Sequence, residues 1–186
     1  PMVLRIENGI VSYMGYVREA FLPYGLAVYY PYPKVIPLWK VVVSLGALIG
    51  ITVGAVVSYR KRPYLTVGWL WFVGVLAPVS GLVQGGLWPE MADRWAYVPY
   101  MGLFMAVAWG VPELVKALPK RREVLAAAAA AVLLSLSALT WSQIGYWKNS
   151  FTLFQQALRV TERNHVAYNN VALCMMDRGR SDEAVR

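Results

Sequence analysis

Apolar blocks of membrane length, closed by clusters of cations, restrict this chain more than any other feature. The first block runs from about Leu38 to Tyr59 and halts at Arg60-Lys61-Arg62-Pro63. A second covers residues 64–86, carries Trp69, Trp71 and Phe72, and has Pro78 in its middle. A third covers 98–118 and a fourth 124–146, with Lys116 and Lys120-Arg121-Arg122 between them. At about 1.5 Å per residue, a helix of some twenty residues spans roughly 30 Å, the thickness of a bilayer core. The pattern predicts an all-α, polytopic membrane bundle of about four transmembrane helices (38–59, 64–86, 98–118 and 124–146). With 58% hydrophobic and only 15% charged residues among 186, a disordered chain is excluded and an ordinary water-soluble globule is disfavoured.

The formal charge of +8 does not point to nucleic acid, because the cations gather at the ends of apolar blocks. There they orient helices. The loops after the first and third blocks are rich in Lys and Arg, whereas the stretch 87–97 holds only Arg94. The positive-inside rule puts the cation-dense loops in the cytoplasm and both ends of the chain outside, on the periplasmic side of a bacterial inner membrane. One cysteine, Cys174, excludes an intrachain disulfide, and one histidine, His165, excludes a His-rich metal site; no metal ligands are assigned.

Residues 1–37 precede the spans and do not read as a signal peptide. Ile10, Val11, Met14, Val17 and Phe21 recur near helical spacing, after which Pro23, Pro31, Pro33 and Pro37 interrupt a tyrosine-rich stretch. The expectation is an amphipathic helix and an aromatic segment lying in the outer membrane interface. A buried piece of a larger helical bundle fits the same residues.

From 147 onward the chain becomes polar. Phe154 and Ala157, a turn at Asn164, then Tyr168, Val171, Ala172 and Met175, Gly179 and Ala184 follow the small-and-large packing pattern of a tetratricopeptide repeat. Ala172 stands where glycine is usual, and Glu162 where proline is common. About one and a half repeats are present, fewer than a solenoid needs, so residues 147–186 are expected to open a longer array. The chain is expected to be a fragment.

The loop Trp88-Pro89-Glu90-Met91-Ala92-Asp93-Arg94-Trp95-Ala96-Tyr97 gathers acids, an arginine and aromatics beside apolar blocks. Glu90 and Asp93 are three residues apart, so one helical turn would bring both near Arg94. A guanidinium there grips phosphate, and Trp and Tyr rings offer flat faces to a sugar or an isoprenoid. An aromatic belt with solvated charges is the plainer reading of the same loop.

Asp93-Arg94-Trp95-Ala96-Tyr97-Val98-Pro99, followed by Gly102-Leu103, resembles an acidic-Arg-x-x-Tyr-Leu-Pro-Ser-x-Gly signature. It belongs to bacterial transmembrane and tetratricopeptide-repeat proteins related to the O-mannosyltransferases of the GT-C superfamily. Tyr100 departs from the usual serine. The run Tyr24 to Pro31 and the string Trp147-Lys148-Asn149-Ser150 are similar to flanking stretches of that family. The resemblance implies a glycosyltransferase moving a sugar from a polyprenyl-phosphate donor to an acceptor hydroxyl on the external face, with the repeats holding the acceptor protein. It also implies that the catalytic acid lies upstream, so no catalytic residue is assigned here and no cofactor belongs to this chain. Arg94, Asp93, Tyr97 and Glu90 are candidates for the donor phosphate or its pocket. The alternative is a non-enzymatic, membrane-anchored repeat scaffold for protein binding.

Other signals read as structural. Gly46, Gly50 and Gly54 suggest close helix contact, as does Gly102. Gly81, Gly85 and Gly86 are not a phosphate loop. Glu113 is expected to snorkel toward Lys116 or Lys120, and Cys174 to be an inert packed thiol.

Overall fold

The computed structural model describes residues 2–80 and 89–179, all of whose regular elements are helical. In order they are α1 (Met2–Phe21), α2 (Leu38–Val57), α3 (Pro63–Leu76), α4 (Tyr97–Leu114), α5 (Arg121–Ile144), α6 (Ser150–Val160) and α7 (His165–Asp177). Short 3₁₀ turns follow α3 at Ala77–Val79, precede α4 at Asp93–Trp95 and extend α5 through Gly145–Lys148.

Among the described residues, two helices are long and apolar enough to cross a membrane: α2, and α5 with its 3₁₀ extension. Within the described residues, the block expected over 64–86 is helical as a shorter apolar element, Pro63–Val79. Pro63 sits in its first turn, where the missing N–H is harmless. Pro78 falls in the 3₁₀ turn that succeeds it. Residues 81–86 of that block, with Gly81, Gly85 and Gly86, lie outside the described residues, as does Trp88. The third block becomes the eighteen-residue α4, which contains Pro112 and stops at Leu114.

Helices α3 and α4 pack closest. A Cβ at Gly68 would land on the Gly102 carbonyl oxygen, and a Cβ at Gly102 on that of Gly68. Trp71 Nε1 then donates to the Val98 carbonyl at 2.9 Å. Gly102 packs as expected, but Gly46, Gly50 and Gly54 meet nothing within 4 Å among the described residues. The close approach belongs to a different glycine pair. Because α3 and α4 form a hairpin, the end of α4 lies beside the start of α3. Glu113 therefore accepts from Tyr64 Oη and pairs with Arg62 Nε at 3.2 Å, instead of reaching toward Lys116 or Lys120.

Around this hairpin, Trp69, Phe72 and Leu76 of α3 meet Leu103 of α4, Ala55 of α2, and Tyr13 and Tyr16 of α1. Trp69 Nε1 donates to Thr52 Oγ1 at 2.8 Å, tying α3 to α2. On α1, Asn8, Ser12, Tyr16 and Glu19 are buried, while Phe21 at the end of its apolar stripe is 54% exposed. By contrast, α5 buries none of its residues.

The tail helices form their own core. Ala157 of α6 and Ala167 of α7 are fully buried, together with Ala27 and flanked by Val28, Tyr30, Phe154 and Leu158. Gly179 adopts φ +72° just after α7, the left-handed conformation that glycine tolerates best. Tyr168 is exposed, Val171 and Ala172 are half-buried, and Ala184 lies outside the described residues.

Asn164 is the bolt between tail and body. Fully buried, it caps α7 by accepting from the Ala167 amide at 3.0 Å, and donates at 2.9 Å to both the Tyr29 carbonyl and Thr161 Oγ1. Losing a cap costs about 1 kcal/mol, and orphaning a buried carbonyl costs a similar amount. Asn164→Ala is expected to destabilise tail docking by about 2 kcal/mol. Limited proteolysis should then cut between α6 and α7 faster, while protease resistance within α3 and α4 is unchanged.

Candidate functional site

The polar face of α1 is turned onto the loop that precedes α4, and that contact builds the site. Asn8 Nδ2 and Ser12 Oγ both donate to the Glu90 carbonyl at 3.2 Å. Tyr16 Oη accepts from the Ala92 amide at 2.9 Å and donates to the Ala92 carbonyl at 3.3 Å. Tyr100 Oη donates to the Tyr16 carbonyl at 2.9 Å. The proline-rich segment adds another fixture, since the Glu90 amide donates to the Tyr30 carbonyl at 3.0 Å. The loop is thus held in shape by backbone bonds to side chains that are themselves buried.

Asp93 opens the 3₁₀ turn and faces inward. The Tyr30 hydroxyl is near enough to favour its charged form, and Oδ1 is buried without a hydrogen-bond partner. Burial raises its pKa from 3.8 to about 6, against the opposing pull of Tyr30 and Arg94. Glu19, with a side chain only 6% exposed, lies close enough to feel both Asp93 and Glu90. Its pKa rises from 4.5 to about 7, first through burial and then through Asp93, with Arg18 at 3.8 Å pulling the other way. Glu90 is also raised by burial, and Lys40 and Arg18 oppose that shift. Neighbouring acids in one poorly solvated place hold protons near neutral pH. Among the described residues no His, Cys, Asp and Glu are grouped to hold a metal ion.

The structure divides the sequence candidates. Asp93 turns in, and Glu90 borders a cavity of about 990 Å³ between the tyrosine-proline segment and the turn joining α6 to α7. Arg94 is exposed, with its guanidinium 5.6 Å from the Trp95 ring centre, and Tyr97 is 74% exposed at the start of α4. A continuous helical turn from Glu90 to Arg94 does not form, because Ala92 is extended and the 3₁₀ turn begins only at Asp93. Sequence reasoning passed over Asn8, Ser12, Tyr16 and Glu19. Their spacing puts them on one stripe of α1, which was a usable signal.

Comparison with known proteins gives one partial match. The chain is 32% identical over 96 residues to the protein O-mannosyl-transferase Tmtc3 of Drosophila melanogaster, a stretch that is 51% of this chain. The match spans about 10% of that relative's length. No protein-family model matches the chain, and no solved structure matches it.

Proposed function

We propose that this chain is part of an integral-membrane glycosyltransferase of bacterial type, related to GT-C O-mannosyltransferases. It moves a sugar from a polyprenyl-phosphate donor to a hydroxyl on the external face. The observation that carries this reading is Asp93, half-buried with Oδ1 shut away from solvent and without a partner, near Tyr30 and Glu19 in a loop braced by α1. Burying neighbouring carboxyls destabilises a fold, and a helix pair that merely anchors a tail has no use for that arrangement. The similarity to an O-mannosyl-transferase supports the reaction class.

In this reading four helices cross the bilayer, with α3 and α4 as the inner hairpin beside α2 and α5. Exposed Leu133 and Leu134 on α5 then face lipid. The tail begins a tetratricopeptide array that holds the acceptor protein, and both ends of the chain lie outside. Asp93 orients the reacting groups. Arg94, exposed at the rim, attracts the donor phosphate, and Tyr97 lies beside its path.

The test is sugar transfer by the intact membrane protein in proteoliposomes supplied with polyprenyl-phosphate sugars. Asp93→Asn should lower transfer at least tenfold with normal insertion. Arg94→Ala should raise the donor KM about threefold, and added salt should shrink that difference, because steering by an exposed charge is screened. Equal loss of folded protein in both variants would assign the loop a structural role. No transfer from any donor, with retained protein binding by the tail, would select the membrane-anchored scaffold.

A further inference from the structure

The cavity beside Glu90 is walled by three separate stretches of chain, and together they bring four cations against two acids, Glu90 and Glu162. Arg18 comes from the last turn of α1, Lys34 from the proline-rich segment, and Arg159 and Arg163 from the tail. Among the described residues, no ion pair engages Lys34, Arg159 or Arg163, while Arg18 meets Glu19 only at 3.8 Å. Tyr24 and Tyr32 line the same space, offering ring faces next to the charges. Tyr30 also lines it and is near enough to Asp93 to influence its charge, so the cavity adjoins the acid.

The backbone supplies a separate sign. Arg163 holds φ +52°, the one non-glycine residue with a positive φ among those described. A β-carbon there is strained, and such strain persists only where the surroundings impose it. Asn164, bonded to the Tyr29 carbonyl, fixes that turn against the cavity wall.

We propose that this cavity is a phosphate-ester site, with Arg18 and Lys34 on one wall and Arg159 and Arg163 on the other. The inference rests on the transferase reading for its ligand class, a prenyl phosphate ester. It seats the anion here, so Arg94, which is outside the cavity, acts only during approach. The tail then completes the donor site as well as engaging acceptor. Four guanidinium or ammonium groups suit a phosphate's several oxygens, and the size of the cavity leaves room for a sugar against the tyrosines.

Binding of farnesyl phosphate to the intact protein in a non-ionic detergent tests this, with farnesol as the uncharged control. Arg163→Gly removes the charge while keeping the backbone conformation, so misfolding does not confuse the result; it is combined with Arg159→Gln. Farnesyl phosphate affinity should fall at least tenfold, with farnesol binding unchanged and a shallower salt dependence. Displacement by inorganic phosphate or mannose 1-phosphate as well would assign the cavity to soluble phosphates, and displacement by the prenyl ester alone to a lipid head; either source upholds the site. A change below twofold, or tight binding of an acidic peptide with none of the phosphate ester, overturns it. Because binding is read without turnover, cation-dependent binding in a protein that transfers no sugar upholds the cavity and removes the transferase reading. Sugar transfer alongside binding that ignores these cations does the reverse.

Discussion

Replacing Gly102 with alanine is expected to destabilise the protein by about 3 kcal/mol or more, a large effect for one methyl group. The added carbon would fall on the Gly68 carbonyl oxygen, and would also sit 2.9 Å from Trp71 Cδ1 and 3.1 Å from its Cβ. A backbone carbonyl inside a helix has no rotamer to change, so relief requires α3 and α4 to move apart. Overpacking a tight core costs about 1–3 kcal/mol where side chains can adjust, and here the backbone blocks that adjustment. Separation also breaks the Trp71–Val98 bond and loosens Phe72 and Leu76, both nearly inaccessible. Between helices in lipid, close packing of small residues is itself a principal source of association. Thermal unfolding in detergent, followed by tryptophan fluorescence, reads the loss directly. Gly68→Ala should behave alike, because the contact is reciprocal. By contrast, Gly50→Ala should change little, since among the described residues nothing lies within 4 Å of its added carbon. Equal destabilisation by all three would mean that the effect comes from something other than the crossing.

That contrast shows what the sequence makes legible. Apolar runs announce α2 and α5, because length and composition alone decide whether a helix suits a bilayer. Spacing in the tail likewise marks the turn at Asn164 and the left-handed Gly179, because a helix cap and a helix end are local features of the chain. Which glycines meet is another matter. The regular Gly46-Gly50-Gly54 series advertises a flat face, yet only the partner's position decides whether a flat face is used. The pair that does touch, Gly68 and Gly102, has no such series.

The site was legible only in its loop. Asp93, Arg94 and Tyr97 stand out by type and order, but nothing local says that Asp93 turns in while its neighbour turns out. That depends on the 3₁₀ turn and on Tyr30, far upstream in the chain. Polar stripes on a helix are ordinarily assigned to water. On α1 the stripe Asn8-Ser12-Tyr16 instead meets a loop backbone, whose amides and carbonyls need partners that water would otherwise supply. The tail's docking on Ala27 and Tyr29 is equally long-range, and invisible to any periodicity.

Glu19→Gln is expected to stabilise the protein by about 3 kcal/mol above pH 7 and to flatten part of its pH dependence. The sign follows from proton counting. In the folded protein Glu19 keeps its proton up to about pH 7, whereas an unperturbed glutamate releases it near 4.5. Between those values the native state binds more protons than the unfolded chain, so stability falls as pH rises. The lost amount approaches about 3 kcal/mol at a pH above both values, by the usual conversion of a pKa difference. Glutamine carries no charge to bury, so the variant should match the parent near pH 4 and melt higher at pH 8. A slope should survive between about pH 3.8 and 6, because Asp93 is raised in the same sense. If Glu19→Gln instead lowers stability at pH 8, then Arg18 holds Glu19 ionised and the buried acid is a salt-bridge anchor. Activity separates the remaining possibilities. A variant that is more stable yet transfers sugar poorly would show that the charge destabilises the fold and serves the chemistry, as the coupling of Glu19 to Asp93 requires. A stable variant with full activity would confine that chemistry to Asp93 and its tyrosine.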